Sequence, residues 1–94
     1  MRKYESMILV SANLPEDKAK EINQQIVDFI KKNGGEINNS EEWGKRKLSY
    51  EIEKQEDAYF FVNYFELDPQ EIDKLETQYR FNENIIRYNI LVKR

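Results

Sequence analysis

Amphipathic segments follow one another along this 94-residue chain in the order strand, helix, strand, strand, helix, strand, and few folds accept that order. Tyr4 to Val10 is rich in apolar residues and reads as the first strand. Asn13-Leu14-Pro15-Glu16 has the form of a helix start, with Asn13 able to cap, Glu16 three residues on and Pro15 tolerated in the first turn. Ala19, Ile22, Ile26, Phe29 and Ile30 recur at spacings of three and four and predict one apolar helix stripe. Lys31 and Lys32 suit the negative end of the helix dipole, and Asn33-Gly34-Gly35 ends it. Glu36 to Ile52 reads as a partly polar strand with a bulge near Gly44, followed by a turn over Glu53 to Asp57. Tyr59 to Phe65 is the strongest strand signal. Asp68-Pro69-Gln70-Glu71 starts a second helix with Pro69 at its first position, and Ile72, Leu75 and Tyr79 form its stripe. Asn84 to Val92 is the last strand, with Ile86, Tyr88, Ile90 and Val92 expected on one face.

The order predicts an α+β, ferredoxin-like βαββαβ sandwich over residues 1–94 as a single domain: a four-stranded antiparallel sheet with two helices on one face. Strands 1 and 3 are then central and strands 2 and 4 are the edges. The two chain ends become neighbours, which brings Arg2, Lys3, Lys93 and Arg94 together. The other face of the sheet is left to water or to a partner. With Ile8 and Val10 of strand 1 and Phe60, Val62 and Tyr64 of strand 3 turned to the helices, Met7, Leu9, Tyr59, Phe61, Asn63 and Phe65 face outward. An outward apolar patch marks a binding site unless a bulge or the hairpin covers it.

Several function classes are excluded by composition. The chain has no histidine and no cysteine, so disulfides, thiolate metal sites and the commonest nucleophiles and bases are unavailable. Glu41 and Glu42 are a carboxylate pair, but neighbours on a strand point to opposite faces. A ferredoxin-like dimer enclosing a small ligand would need a polar pocket that the sequence does not advertise. No enzyme activity, cofactor, metal or small-molecule substrate is expected. With 39% hydrophobic and 35% charged residues and no apolar run near the roughly 20 needed to span a bilayer, no membrane partner is expected either. Met1-Arg2-Lys3-Tyr4 enters a strand directly, so no signal peptide is read and a cytoplasmic setting is expected. Net charge is −3, but acids and bases are segregated, which is compatible with a local basic face.

Glu42-Trp43-Gly44-Lys45-Arg46-Lys47-Leu48-Ser49-Tyr50 is the most distinctive stretch. Three bases beside two aromatic rings can hold phosphates while a ring packs on sugar or base. The same residues also describe an edge strand guarded by charge against aggregation. Asp57-Ala58-Tyr59-Phe60-Phe61-Val62-Asn63-Tyr64 partly follows the aromatic strand of RNA-recognition modules, keeping the Tyr, the Phe-Val and the final Tyr but lacking the leading base and the glycine. A stand-alone module binding single-stranded RNA through Tyr59 and Phe61 is therefore a second reading.

The chain resembles the family of bacterial ribosomal small-subunit protein six. The likeness runs through Met1-Arg2-Lys3-Tyr4-Glu5, Asn33-Gly34-Gly35 and Glu42-Trp43-Gly44-Lys45-Arg46-Lys47-Leu48 with Tyr50-Glu51-Ile52. Glu51 departs from it, standing where the family often has proline. The resemblance implies a ribosome-associated structural component of the 30S subunit that binds the central domain of 16S rRNA together with small-subunit protein eighteen. It points to Arg2, Lys3, Lys45, Arg46, Lys47 and Arg87 as RNA-binding residues and leaves Tyr59 and Phe61 as candidates for the protein partner.

Overall fold

A computed structural model describes residues 1–93. Its elements are β1 (Arg2–Ser11), α1 (Glu16–Lys32), β2 (Glu36–Ile52), β3 (Gln55–Leu67), a 3-10 turn (Pro69–Glu71), α2 (Ile72–Phe81) and β4 (Ile85–Val92). The sheet is antiparallel throughout, in the order β2-β3-β1-β4, with the two helices packed on one face. The expected ferredoxin-like architecture and its central and edge strands are therefore observed. Among the described residues no helix is long and apolar enough to cross a membrane.

The helix ends follow their sequence signals unequally. Asp68 accepts a hydrogen bond from the Gln70 N–H at 2.9 Å and Pro69 opens the 3-10 turn that runs into α2, as expected. At α1 the N-cap is Pro15 rather than Asn13, and no side chain caps it. The Pro15 carbonyl instead receives the N–H groups of Lys18 and Ala19 at 3.0 and 3.2 Å. Glu16 and Asp17 in the first turn offset the positive helix end. The far end is a Schellman closure: the Gly34 N–H bonds the Lys31 carbonyl at 3.1 Å and the Gly35 N–H the Ile30 carbonyl at 2.8 Å. Gly34 has φ 86°, and a Cβ on Gly35 would meet Ile30 Cγ2 at 2.6 Å and the Glu66 carbonyl at 2.8 Å. The helix end is thus wedged against β3.

Register reverses the expected parity of β3. Tyr4, Ile8 and Val10 stand opposite Phe65, Phe61 and Tyr59, so all six share the helix face. Tyr59 and Phe61 are 7% and 2% exposed and belong to the core beneath the helices, while Phe60, Val62 and Tyr64 are on the open face. β3 is apolar on both faces, so alternation alone does not say which set is inward. Polar partners decide it. Asn63, fully buried, donates to Asn23 of α1 at 2.8 Å and accepts from Ser40 of β2 at 2.6 Å. Ser6, directly opposite Asn63, bonds the Tyr79 hydroxyl of α2 at 2.7 Å and the Asn89 carbonyl at 3.0 Å.

Two smaller corrections come from irregular pairing. β2 ends at Ile52 as expected, but β3 begins earlier, at Gln55, and the turn narrows to Glu53 and Lys54, at φ 47° and 65°. This is the left-handed geometry that suits a two-residue hairpin turn. In β4 a register shift between Leu9 and Val10 of β1 puts Ile86 on the open face, whereas Tyr88 and Ile90 pack under the helices.

Gly35→Ala should destabilise the fold by about 1–3 kcal/mol in urea unfolding, through overpacking against backbone that cannot move. Gly34→Ala should cost about 1–2 kcal/mol, from its left-handed backbone alone. Burial, with a smaller contribution from nearby Tyr88, holds the Tyr79 hydroxyl far above its usual pKa of 10.0. The unfolded chain therefore releases this proton first as pH rises, and stability falls above about pH 10. Thermal melts across that range should show a shallower alkaline loss for Tyr79→Phe than for the unaltered chain.

Candidate nucleic-acid and partner interface

The open face of the sheet is built by irregularity in β2. Glu42 pairs with Phe61 and Gly44 with Phe60, so Trp43 is an extra residue, and Gly44 takes φ 76° to accommodate it. The bulge lays the Trp43 ring parallel to Phe60, with centroids 6.3 Å apart and planes 6° apart. Trp43 Nε1 donates to Glu41 at 3.0 Å, which fixes the ring's orientation. A second irregularity follows: Lys47 pairs with Asp57 and Ile52 with Gln55, leaving 48–51 as an arm outside regular register. Leu48 and Ile52 pack with Met7, Leu9, Ala58, Phe60 and Ile86, and this small cluster keeps Leu9 buried on the open face. The hairpin thus covers part of the patch expected to be exposed.

What remains is a groove of about 470 Å³, floored by Met7, Leu9, Leu48 and Phe60 and rimmed by two arginine–aromatic pairs. On one side the Arg46 guanidinium lies 5.2 Å from the Trp43 ring centroid and its Nε donates to the Trp43 carbonyl at 3.2 Å. On the other, Arg87 of β4 lies 5.7 Å from the Tyr50 centroid and its Nη1 donates to the Tyr50 hydroxyl at 2.8 Å. Trp43 is 38% and Tyr50 62% exposed, so both rings remain accessible.

The expected bases form two groups. Arg2 pairs in register with Leu67, and Lys3 with Glu66, at the end of the sheet where the Lys93 N–H bonds the Lys3 carbonyl at 2.8 Å. Lys93 also reaches Glu5 at 3.3 Å and lies 5.6 Å from the Tyr64 ring centroid; Arg94 is outside the described residues. Lys45, Arg46 and Lys47 stand opposite Tyr59, Ala58 and Asp57, toward the other end of the sheet. At about 3.3 Å per residue the two groups are roughly 23 Å apart. All six candidate bases are exposed. Among the described residues none of the six has a carboxylate partner, whereas Lys18, Lys20, Lys74, Arg80 and Lys93 each do.

Tyr59 and Phe61, read from the sequence as outward partner-binding residues, are not at this surface. They are core residues, and the Tyr59 hydroxyl is spent on the Leu14 carbonyl at 3.0 Å. Their places are taken by Trp43, Tyr50 and Phe60. Tyr50 and Arg87 are 37 residues apart, and no local pattern links them. Trp43 beside Gly44 was the one available signal, since a glycine inside a strand pattern marks a bulge that re-aims its neighbour.

A family model described as ribosomal protein S6 matches residues 3–92. The chain is 38% identical over 91 residues to small ribosomal subunit protein bS6 of Thermoanaerobacter pseudethanolicus, covering 97% of this chain and 96% of that one. It is 33% identical over 93 residues to the bS6 protein of Heliobacterium modesticaldum, covering 99% and 97%. The crystal structure of 30S ribosomal protein S6 from Thermotoga maritima superposes with a TM-score of 0.94 at 33% identity, over 98% of this chain and 87% of that one.

Trp43 is the chain's one tryptophan and serves as a reporter of this face. Phe60→Ala should shift its emission to longer wavelength by removing the stacked ring, with far-UV circular dichroism unchanged. An unshifted spectrum would mean that the stack does not form in solution.

Proposed function

The chain belongs to the ribosomal protein S6 family, a structural family of the small ribosomal subunit, and on that premise we propose that it binds the central domain of 16S rRNA together with small-subunit protein eighteen. The observation that carries the RNA half is the contrast among the bases. A lysine already held by a carboxylate brings little net field to a phosphate, whereas an unpaired one brings its full charge. Arg2, Lys3, Lys45 and Lys47 are exposed and have no carboxylate partner among the described residues. Their two groups, set at opposite ends of the sheet, suit contact with separate stretches of a folded RNA backbone.

The protein half is supported by the open face. Trp43, Phe60, Leu48 and Met7 present an apolar surface on this face. Apolar patches of this kind on soluble domains accept other proteins. A stand-alone single-stranded RNA binder stacking bases on Tyr59 and Phe61 would need those rings outward, and both are buried under the helices.

Purified protein should co-sediment with 30S particles that lack their own copy, and should do so in a salt-resistant manner. If it stays in the soluble fraction at every salt concentration, the reading is wrong. Replacing Arg2, Lys3, Lys45 and Lys47 by alanine should lower the slope of log affinity against log salt by about four if each meets one phosphate.

A further inference from the structure

Asn33-Gly34 is the chain's one asparagine–glycine pair, and it stands at the C-terminal end of α1. In such a pair the second residue has no Cβ to shield its backbone nitrogen, which makes the asparagine amide among the most readily lost in a polypeptide. Here that chemistry and the fold compete. The Asn33 Nδ2 donates to the Phe29 carbonyl at 2.8 Å, and the Asn33 backbone N–H reaches the same oxygen at 3.1 Å. The Gly34 N–H, whose nitrogen would be the nucleophile, is bonded to the Lys31 carbonyl at 3.1 Å. We propose that Asn33 is a self-deamidating site held inactive by closure of the α1 end, and that it converts only when that end opens.

The reaction needs only water and a base. The Gly34 nitrogen gives up its proton and attacks Asn33 Cγ. The new N–Cγ bond closes a succinimide ring, the Cγ–Nδ2 bond breaks, and the side-chain nitrogen leaves as ammonia. Water then opens the ring. Cleavage of the N–Cγ bond restores the peptide with an aspartyl side chain. Cleavage between the nitrogen and the α-carbonyl carbon leaves an isoaspartyl link, with the main chain running through Cβ and Cγ. In the closed state the ring cannot form. With Asn33 at ψ 24°, the Gly34 nitrogen lies on the far side of the Cα–C bond from Cβ, whereas ring closure needs the two nearly eclipsed. Rotation about that bond would pull Gly34 off Lys31 and carry Gly35 away from the Ile30 carbonyl, which it bonds at 2.8 Å. Gly35 is also wedged between Ile30 and the Glu66 carbonyl, so the turn resists rotation from both sides. Conversion, once made, opposes closure. Either product loses the amide donor to Phe29 and adds a carboxylate at the negative end of the helix dipole. The isoaspartyl link also adds an atom to the backbone inside the Schellman turn.

The test is incubation at mildly alkaline pH of the folded chain, the chain unfolded in urea, and two variants. Gly35→Ala keeps the Asn33-Gly34 pair but cannot seat its wedge. Ile8→Val loses comparable stability in the middle of β1, away from the helix end. Product is followed by the mass of the peptide that holds residue 33 and by an isoaspartyl methyltransferase, which labels the isoaspartyl form. The unfolded chain should convert at Asn33 ahead of every other asparagine. The folded chain should convert at least about tenfold more slowly, given the hydrogen bonds that must break first. Gly35→Ala should convert faster than the unaltered folded chain, and at the same rate once both are unfolded, while Ile8→Val stays close to the unaltered chain. Equal rates in the folded and unfolded chain would show that closure does not hold the site. An unfolded chain that converts first at another asparagine would remove Asn33 as the site. If Ile8→Val speeds conversion as much as Gly35→Ala does, the reaction passes through global unfolding and the assignment to the helix end is overturned. If Gly35→Ala does not fold, the folded and unfolded rates of the unaltered chain decide alone.

Discussion

Ser6 and Asn63 face each other at the centre of the sheet, fully buried, and each is bonded to a different helix. An unsatisfied polar group in such a place costs about 1–3 kcal/mol, so the pair tolerates little displacement. A slip of one residue between β1 and β3 would turn either Ser6 or Asn63 to the open face and break its bond to Tyr79 or to Asn23. Apolar side chains could not impose this choice, since β3 carries them on both faces. The polar pair selects the register, and the register selects which aromatics are core and which are surface. Everything on the open face, from the Trp43 stack to the groove, depends on that selection.

The architecture was legible because each of its signals is local. The helix stripe from Ala19 to Ile30, the glycines after α1 and the Asp68-Pro69 start depend on neighbours three or four positions away, and each appears where its spacing put it. The two-residue turn at Glu53 and Lys54 was not legible, because neither residue favours the left-handed region. The parity of Tyr59 and Phe61 was not legible either, because it follows from Asn63 meeting Asn23, 40 residues away. The basic motif could be read as a composition, but which residue of β3 each base stands opposite required knowing where the Trp43 bulge falls. Arg87 could be listed as a base, yet its bond to Tyr50 spans two edges of the sheet and has no trace in the sequence.

In a chain of net charge −3, the RNA contact proposed above depends on where the charges are placed. Acids gather at the hairpin tip, in Glu51, Glu53, Glu56 and Asp57, away from Arg2 and Lys3 at the opposite end of the sheet. With a screening length of about 8 Å at physiological salt, the two ends act as separate electrostatic surfaces.

The Tyr50–Arg87 contact joins β2 to β4, and these are the two outer strands. A sheet tied across its edges is no longer a flat platform; it becomes a shallow trough with a clasp. The clasp consists of one exposed hydrogen bond and one ring contact, together worth on the order of 1–2 kcal/mol. The buried bonds of Ser6 to Tyr79 and of Asn63 to Asn23 lie on the other, helix-covered face and take no part in it. The trough can therefore change width without disturbing the core, so a rigid fold carries a surface that adjusts to its occupant.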